Sequence, residues 1–113
     1  MKLGGLGIDI IETKKFSTLG QRRNNHFLER NFSKEELSYC FSFRDTATHL
    51  AGTFAAKEAV VKTLKKSVLL SLVEIKRNKN NQPSVWIRDH HQKSILISIS
   101  HTKKIAMAIA IRQ

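Results

Sequence analysis

Residues 54–62, FAAKEAVVK, constrain the fold more than any other stretch. At about 100° per residue, Ala55, Ala56, Ala59, Val60 and Leu64 cover a wide arc of a helix, and Phe54 and Val61 lie together on another side. Glu58, Lys62 and Lys65 form one narrow polar stripe. A surface helix is polar over about half its girth, whereas this one is polar only along a slit. It is therefore expected to be largely buried, with the slit facing something. Lys57 falls off the stripe, between Leu64 and Val61, where a long stem would carry its ammonium out to the surface.

A buried helix needs a cover, and the second half of the chain reads as strands. ILISIS and IAMAIAI alternate strongly, with HTKK between them, which predicts a hairpin. Ile105, Met107, Ile109 and Ile111 would share one face and the alanines the other, where small side chains let a helix pack close. GLGIDIIE predicts an opening strand in which Leu6, Ile8 and Ile10 alternate with Gly7, Asp9 and Ile11. Glycines at 4, 5 and 7 would admit another backbone. SLVEIKRN and SVWIRD are further strands separated by the turn-rich NKNNQP, and HHQK breaks the pattern. Short helices are predicted over 14–19, 26–31 and 34 to about 43. Ser33 with Glu36 three residues later carries a capping-box signature for the last of these. A long helix is predicted over 47–66. No internal repeat or linker is present. The expected architecture is α+β, a mainly antiparallel sheet packed against a long central helix, with residues 1–113 forming one domain.

The chain has 113 residues, of which 41% are hydrophobic and 26% charged. That composition predicts a folded protein with a modest core, one that an oligomer interface would complete. Twenty basic against nine acidic residues give 20 − 9 = +11, which favours an anionic partner: nucleic acid, a phosphorylated cofactor, an acidic protein or a membrane surface. The single cysteine, Cys40, excludes an internal disulfide framework and a cysteine-rich zinc site, and points to a reducing compartment. No apolar run approaches the ~20 residues of a membrane span. MKLGGLGIDII, with three glycines and Asp9, does not read as a signal peptide. A soluble, cytoplasmic protein is expected.

Three places could carry chemistry. Glu58 and Lys62, spaced i, i+4, make either an ordinary surface pair or, in apolar surroundings, a slit suited to a metal and a phosphate. Asp9 interrupts an apolar strand. It either caps a nearby turn or joins Glu58 in holding one Mg²⁺, with positions left for water and phosphate oxygens. SISHT ends a strand with Ser98, Ser100, His101 and Thr102, either a polar turn or a phosphate contact. DHHQK is a loop and not a metal cluster, and neither a Walker-type phosphate loop nor GxGxxG is present.

Taken together and in order, these stretches resemble a known family. GLGIDIIE, HFLERNFSKEELSYC, HLAGTFAAKEAVVKTL and ISISHT with the alanine-rich last strand are similar to the holo-acyl-carrier-protein synthases, the short phosphopantetheinyl transferases, over nearly the whole chain. The resemblance implies transfer of 4′-phosphopantetheine from coenzyme A to a serine of apo acyl carrier protein, with Mg²⁺, for fatty acid biosynthesis. Adenosine 3′,5′-bisphosphate would be released. It implies a homotrimer with active sites between subunits. Asp9 and Glu58 would be metal ligands and Lys62 a contact of the coenzyme A pyrophosphate. Glu58 would be the base on the carrier serine, directly or through a water. His101 and Thr102 would sit near the phosphoadenosine end, with the turn from Asn80 to Pro83 close by. Lys14, Lys15 and Arg30 would face the carrier, and the +11 charge would speed encounter with an acidic protein.

The chain departs from the family pattern at several positions. Thr53 stands where the family usually has an arginine that helps bind coenzyme A. Lys15 replaces a usual Arg, Asn81 the turn Gly, and Gln82 a usual Lys. KKSVLLSLVEI is shorter than its counterpart and lacks a glycine-containing loop. Two rival readings accompany the leading one. A small basic nucleic-acid-binding module would use QRRNN and KRNKNNQ, but it lacks a readable motif and a stacking surface. A catalytically impaired relative that binds carrier or coenzyme is kept open by Thr53.

Overall fold

The computed structural model describes residues 2–113. In chain order its elements are β1 (Gly5–Glu12), α1 (Lys14–Leu19), α2 (His26–Asn31), α3 (Lys34–Phe41), α4 (Thr46–Thr63), a 3₁₀ turn (Leu70–Leu72), β2 (Val73–Arg77), β3 (Pro83–Ile87), β4 (His90–His91), β5 (Ile95–His101) and β6 (Ile105–Arg112). The strands divide into two antiparallel three-stranded sheets, ordered β1-β6-β5 and β2-β3-β4. The long helix packs against β1, β6, β5 and β2, so the α+β expectation holds, with two sheets rather than one.

Beyond shifts of one or two residues at other element ends, such as α3 stopping at Phe41 and not near 43, the structure departs from the sequence reading at the end of the long helix and at HHQK. The long helix ends at Thr63 instead of 66, because Leu64 is already extended (φ −86°, ψ 146°). The carbonyl of Thr63 accepts from Arg112 Nε at 2.9 Å, so a side chain of β6 takes over an acceptor left at the helix end. Lys65 therefore lies beyond the helix, and the polar stripe reduces to Glu58 and Lys62. HHQK, read as a break, contains the short β4. Arg88 and Asp89 both have positive φ (49° and 65°). They turn the chain so that His90 and His91 pair with Ile87 and Trp86.

The alternation of the last strand works as its residues dictate. Ala106, Ala108 and Ala110 are fully buried on the helix side, whereas Ile105, Met107 and Ile109 are about 40% exposed on the other, at 41%, 40% and 39%. Ala55, Ala56, Ala59 and Val60 meet these alanines together with Val73, Ile75, Val85 and Ile95. A second, aromatic cluster on the α1–α3 side joins Phe16, Leu28, Phe32, Leu50 and Phe54. Among the described residues, no helix is long and apolar enough to cross a membrane.

The closest approach in the molecule is between β1 and α4. A Cβ on Gly7 would stand 1.9 Å from the carbonyl oxygen of Ala59, and one on Gly5 2.1 Å from that of Thr63. Both obstacles are backbone, so neither can yield without moving the helix. Gly7→Ala is expected to destabilise the protein by about 3 kcal/mol, the upper end of ordinary overpacking costs. Denaturant unfolding checks this, and a loss below ~1 kcal/mol would mean that the helix shifts freely.

Candidate functional site

The glycine contacts fix the register of strand against helix. Gly5 lies on Thr63 and Gly7 on Ala59 and Lys62, so each two residues along β1 match about one turn back along α4. The next step brings Asp9 level with the turn that ends at Glu58. Lys62 reaches across the gap: its Nζ donates to the Ile8 carbonyl at 2.8 Å and to Asp9 Oδ1 at 3.3 Å. The Lys62 side chain is 51% exposed and that of Asp9 19%. Glu58 sits one turn before Lys62, half-buried, with no ion-pair or hydrogen-bond partner for its carboxylate among the described residues. Asp9, Glu58 and Lys62 thus come together at one edge of the β1–α4 contact. They are two carboxylates, hard oxygen ligands, and an ammonium with donor capacity to spare.

His101 and Thr102 lie at the far end of β5. Residue pairing locates them: Ala108 is flanked by Asp9 on β1 and Ile99 on β5, and Ala106 by Ile11 and His101. His101 is thus two strand spacings, roughly 10 Å, from Ile11 on the Asp9 side of the sheet. It lines a cleft of about 120 Å³ together with Tyr39, His49, Thr53, Arg77 and Ile99. The His49 and His101 rings meet edge to face at 5.6 Å, and Phe43 stacks flat on His49 at 3.6 Å. Thr102 Oγ1 accepts from the Lys104 and Ile105 amides at 3.2 and 3.1 Å, which leaves its hydroxyl proton to donate elsewhere. Ser98 and Ser100 are exposed and point to the opposite face of the sheet from Ile99 and His101.

Asn80 and Pro83 bound the β2–β3 turn. Asn78 Oδ1 accepts from the Asn80 and Gln82 amides at 2.8 and 3.0 Å, and Asn81 takes the left-handed conformation (φ 61°) that a glycine would otherwise supply. Arg77 ties this turn to the cleft, since it donates to the Asn81 carbonyl at 3.2 Å. Lys14 and Arg30 are exposed on α1 and α2. Lys15 lays its ammonium over the rings of Phe27 and Phe54, at 5.4 and 5.1 Å.

Lys57 does not reach the surface. It is fully buried, and its Nζ pairs with Glu36 Oε1 at 2.7 Å while also donating to the Asn31 carbonyl. Glu36 closes the capping box with the Ser33 amide at 2.8 Å, and its other oxygen accepts from the Ile75 amide at 2.7 Å. Burial pushes the Glu36 carboxyl above the usual carboxylate range, while Lys57 and the two amides pull it back. The wheel position of Lys57 inside an apolar arc was the available signal. A buried ammonium demands a carboxylate, and Glu36 Oε1 serves both Lys57 and the Ser33 amide. Cys40 is buried with its Sγ 3.5 Å from Thr53 Oγ1. Burial pushes this thiol up to about 11, so it stays protonated and inert near neutral pH.

Comparison with known proteins bears on the family and the fold. Residues 5–110 match the family described as the 4′-phosphopantetheinyl transferase superfamily. A holo-[acyl-carrier-protein] synthase of Thermodesulfovibrio yellowstonii is 38% identical over 109 residues, covering 95% of this chain and 96% of that protein. The crystal structure of a holo-(acyl-carrier-protein) synthase from Bacillus anthracis in complex with CoA (3′,5′-ADP) superposes with a TM-score of 0.82 at 26% identity, covering 97% of this chain and 96% of that one. That of the Helicobacter pylori holo-[acyl-carrier-protein] synthase in complex with coenzyme A gives 0.78 at 27% identity, covering 96% and 99%. With the family matched from the first strand to the last, the chain belongs to the 4′-phosphopantetheinyl transferase superfamily.

Proposed function

We propose that Asp9, Glu58 and Lys62 form the centre at which this transferase moves 4′-phosphopantetheine from coenzyme A to a serine of apo acyl carrier protein, releasing adenosine 3′,5′-bisphosphate. The observation that carries this reading is the juxtaposition of Asp9 on β1 with Lys62, one turn from Glu58, on α4. Backbone contact at Gly7 holds the two elements in register. Phosphoryl transfer leaves the protein little covalent work, so positioning and charge stabilisation dominate.

The donor set suits Mg²⁺. No group of three metal-ligating side chains occurs among the described residues. Mg²⁺ needs only one or two carboxylates, because it keeps several waters and takes substrate phosphate oxygens. Asp9 and Glu58 would hold it, and when bound it neutralises charge on the pyrophosphate. Lys62, half-exposed and with a donor to spare, meets a phosphate oxygen of the same group. The unpartnered Glu58 carboxylate accepts the proton of the carrier serine, directly or through a water, as the hydroxyl oxygen attacks phosphorus. The phosphorus–oxygen bond to the nucleotide breaks and the bisphosphate leaves. His101, Thr102 and the Asn80–Pro83 turn serve the nucleoside end. Lys14, Lys15 and Arg30 serve the acidic carrier. The test is direct: protein, coenzyme A, Mg²⁺ and apo carrier are mixed, and the carrier is weighed by mass spectrometry. A phosphopantetheine mass gain is expected, and its absence on a cognate carrier would sink the reading.

The outer face of the β1-β6-β5 sheet supports a homotrimer with sites shared between subunits. Leu6, Ile8 and Ile10 are 61%, 53% and 62% exposed, and they pair with Ile111, Ile109 and Met107 to make a continuous apolar surface. An unbroken patch of this kind marks an interface. Light scattering is expected to give three chains per particle for the natural protein. Ile8→Lys should give single chains together with a loss of transfer. A monomeric natural protein with full activity would refute the shared site.

A further inference from the structure

The cleft between α3, α4, β2 and β5 contains a cation that the proposed centre leaves without a task. Arg77, the last residue of β2, lines it beside Thr53 and His101. Its guanidinium carbon stands 4.5 Å from the centre of the Tyr39 ring, and one nitrogen donates to the Asn81 carbonyl. No carboxylate forms an ion pair with it among the described residues. A guanidinium has five N–H donors, so four remain after the bond to Asn81. The stack on Tyr39 fixes its plane, which reduces the ordering cost of binding an anion.

The surroundings suit a phosphate. Two imidazoles, His49 and His101, share the cleft. The neighbouring acid, Asp45, is engaged as the cap of α4, where its side chain accepts from the Thr48 amide and hydroxyl at 3.3 and 2.5 Å. Thr53 is short and buried, and its hydroxyl faces Cys40 Sγ. It leaves the cleft open and cannot itself carry charge to an anion.

We propose that Arg77 binds the 3′-phosphate of coenzyme A, supplying from β2 the guanidinium that an arginine at position 53 would supply from α4. The proposal rests on the transferase reading above. It makes Arg77 the residue by which this chain distinguishes coenzyme A from 3′-dephospho-coenzyme A. One net charge-assisted hydrogen bond from the fork gives discrimination of roughly 10- to 100-fold.

The test measures kcat/KM for both donors with the full chain and with Arg77→Ala and Arg77→Gln. Circular dichroism confirms that each variant is folded, and the glutamine keeps a polar side chain without the charge. The natural protein is expected to prefer coenzyme A by roughly 10- to 100-fold. Each variant should lose that preference by slowing on coenzyme A while changing little on the dephospho form. A folded variant that keeps the preference, or a natural protein that shows none, overturns the proposal. If the natural protein transfers from neither donor, the transferase reading fails instead. Calorimetric titration with adenosine 3′,5′-bisphosphate then decides the role of Arg77. Weaker binding to the variants upholds it; equal binding, or no binding to the natural protein, overturns it.

Discussion

Glu58→Gln is expected to lower the rate of carrier modification by about 10²–10⁴-fold, the usual worth of a positioned general base, and to leave the fold intact. Glutamine keeps the shape and the hydrogen-bonding reach of glutamate but has neither its charge nor its basicity. The fold should tolerate it because the Glu58 carboxylate has no protein partner to lose among the described residues. The same substitution weakens the hold on Mg²⁺, since one of the two proposed carboxylates becomes a neutral amide. The mass-shift assay with time points reads the loss, and thermal unfolding reads the fold. Unchanged turnover would refute both roles assigned to Glu58. A loss of turnover accompanied by unfolding would move Glu58 from chemistry to structure.

Lys57→Met should show the opposite pattern, with a large loss of stability that originates away from the reacting groups. Methionine keeps most of the apolar stem of lysine and removes the ammonium, together with its contact over the Phe32 ring at 5.3 Å. Glu36 is then left buried and without its counter-charge. Breaking one side of such a pair costs about 3–5 kcal/mol, which for a domain of this size lowers Tm by roughly 10 °C or more. A second substitution separates charge from packing. Glu36→Gln added to Lys57→Met removes the orphaned charge while keeping an oxygen for the Ser33 or Ile75 amide, so the double variant should regain much of the loss. Urea unfolding of the three variants completes the cycle. A single-variant loss below ~1 kcal/mol would show that the pair contributes little.

These two neighbours on one helix also mark the limits of what the amino-acid sequence reveals. The buried helix, the alanine face of β6, the capping box at Ser33 and the open glycine face of β1 were all legible, because each rests on a local period or spacing. Asp9, Glu58 and Lys62 were legible as candidates, since charge in an apolar setting needs a reason. The partner of Lys57 was not. Glu36 lies 21 residues away, on another helix, and local spacing cannot join them. The end of α4 was misjudged for a similar reason: Arg112, 49 residues on, takes the Thr63 carbonyl. The basic cleft was half-visible. His101 stood out at a strand end, whereas Tyr39, His49 and Arg77 come from three other elements that only the tertiary fold brings beside it.

The Glu36 carboxylate touches the start of α3, the middle of α4 and the first half of β2, and its lysine partner also holds the end of α2. Four segments therefore share one polar knot inside an otherwise apolar interior. None of them can peel away without leaving part of this polar group unpaired in the low-dielectric core, which adds about 3–5 kcal/mol to local opening here. The helix that carries Glu58 and Lys62 is thereby denied a cheap local excursion. The proposed site side chains therefore stand on a backbone held in place from inside the core.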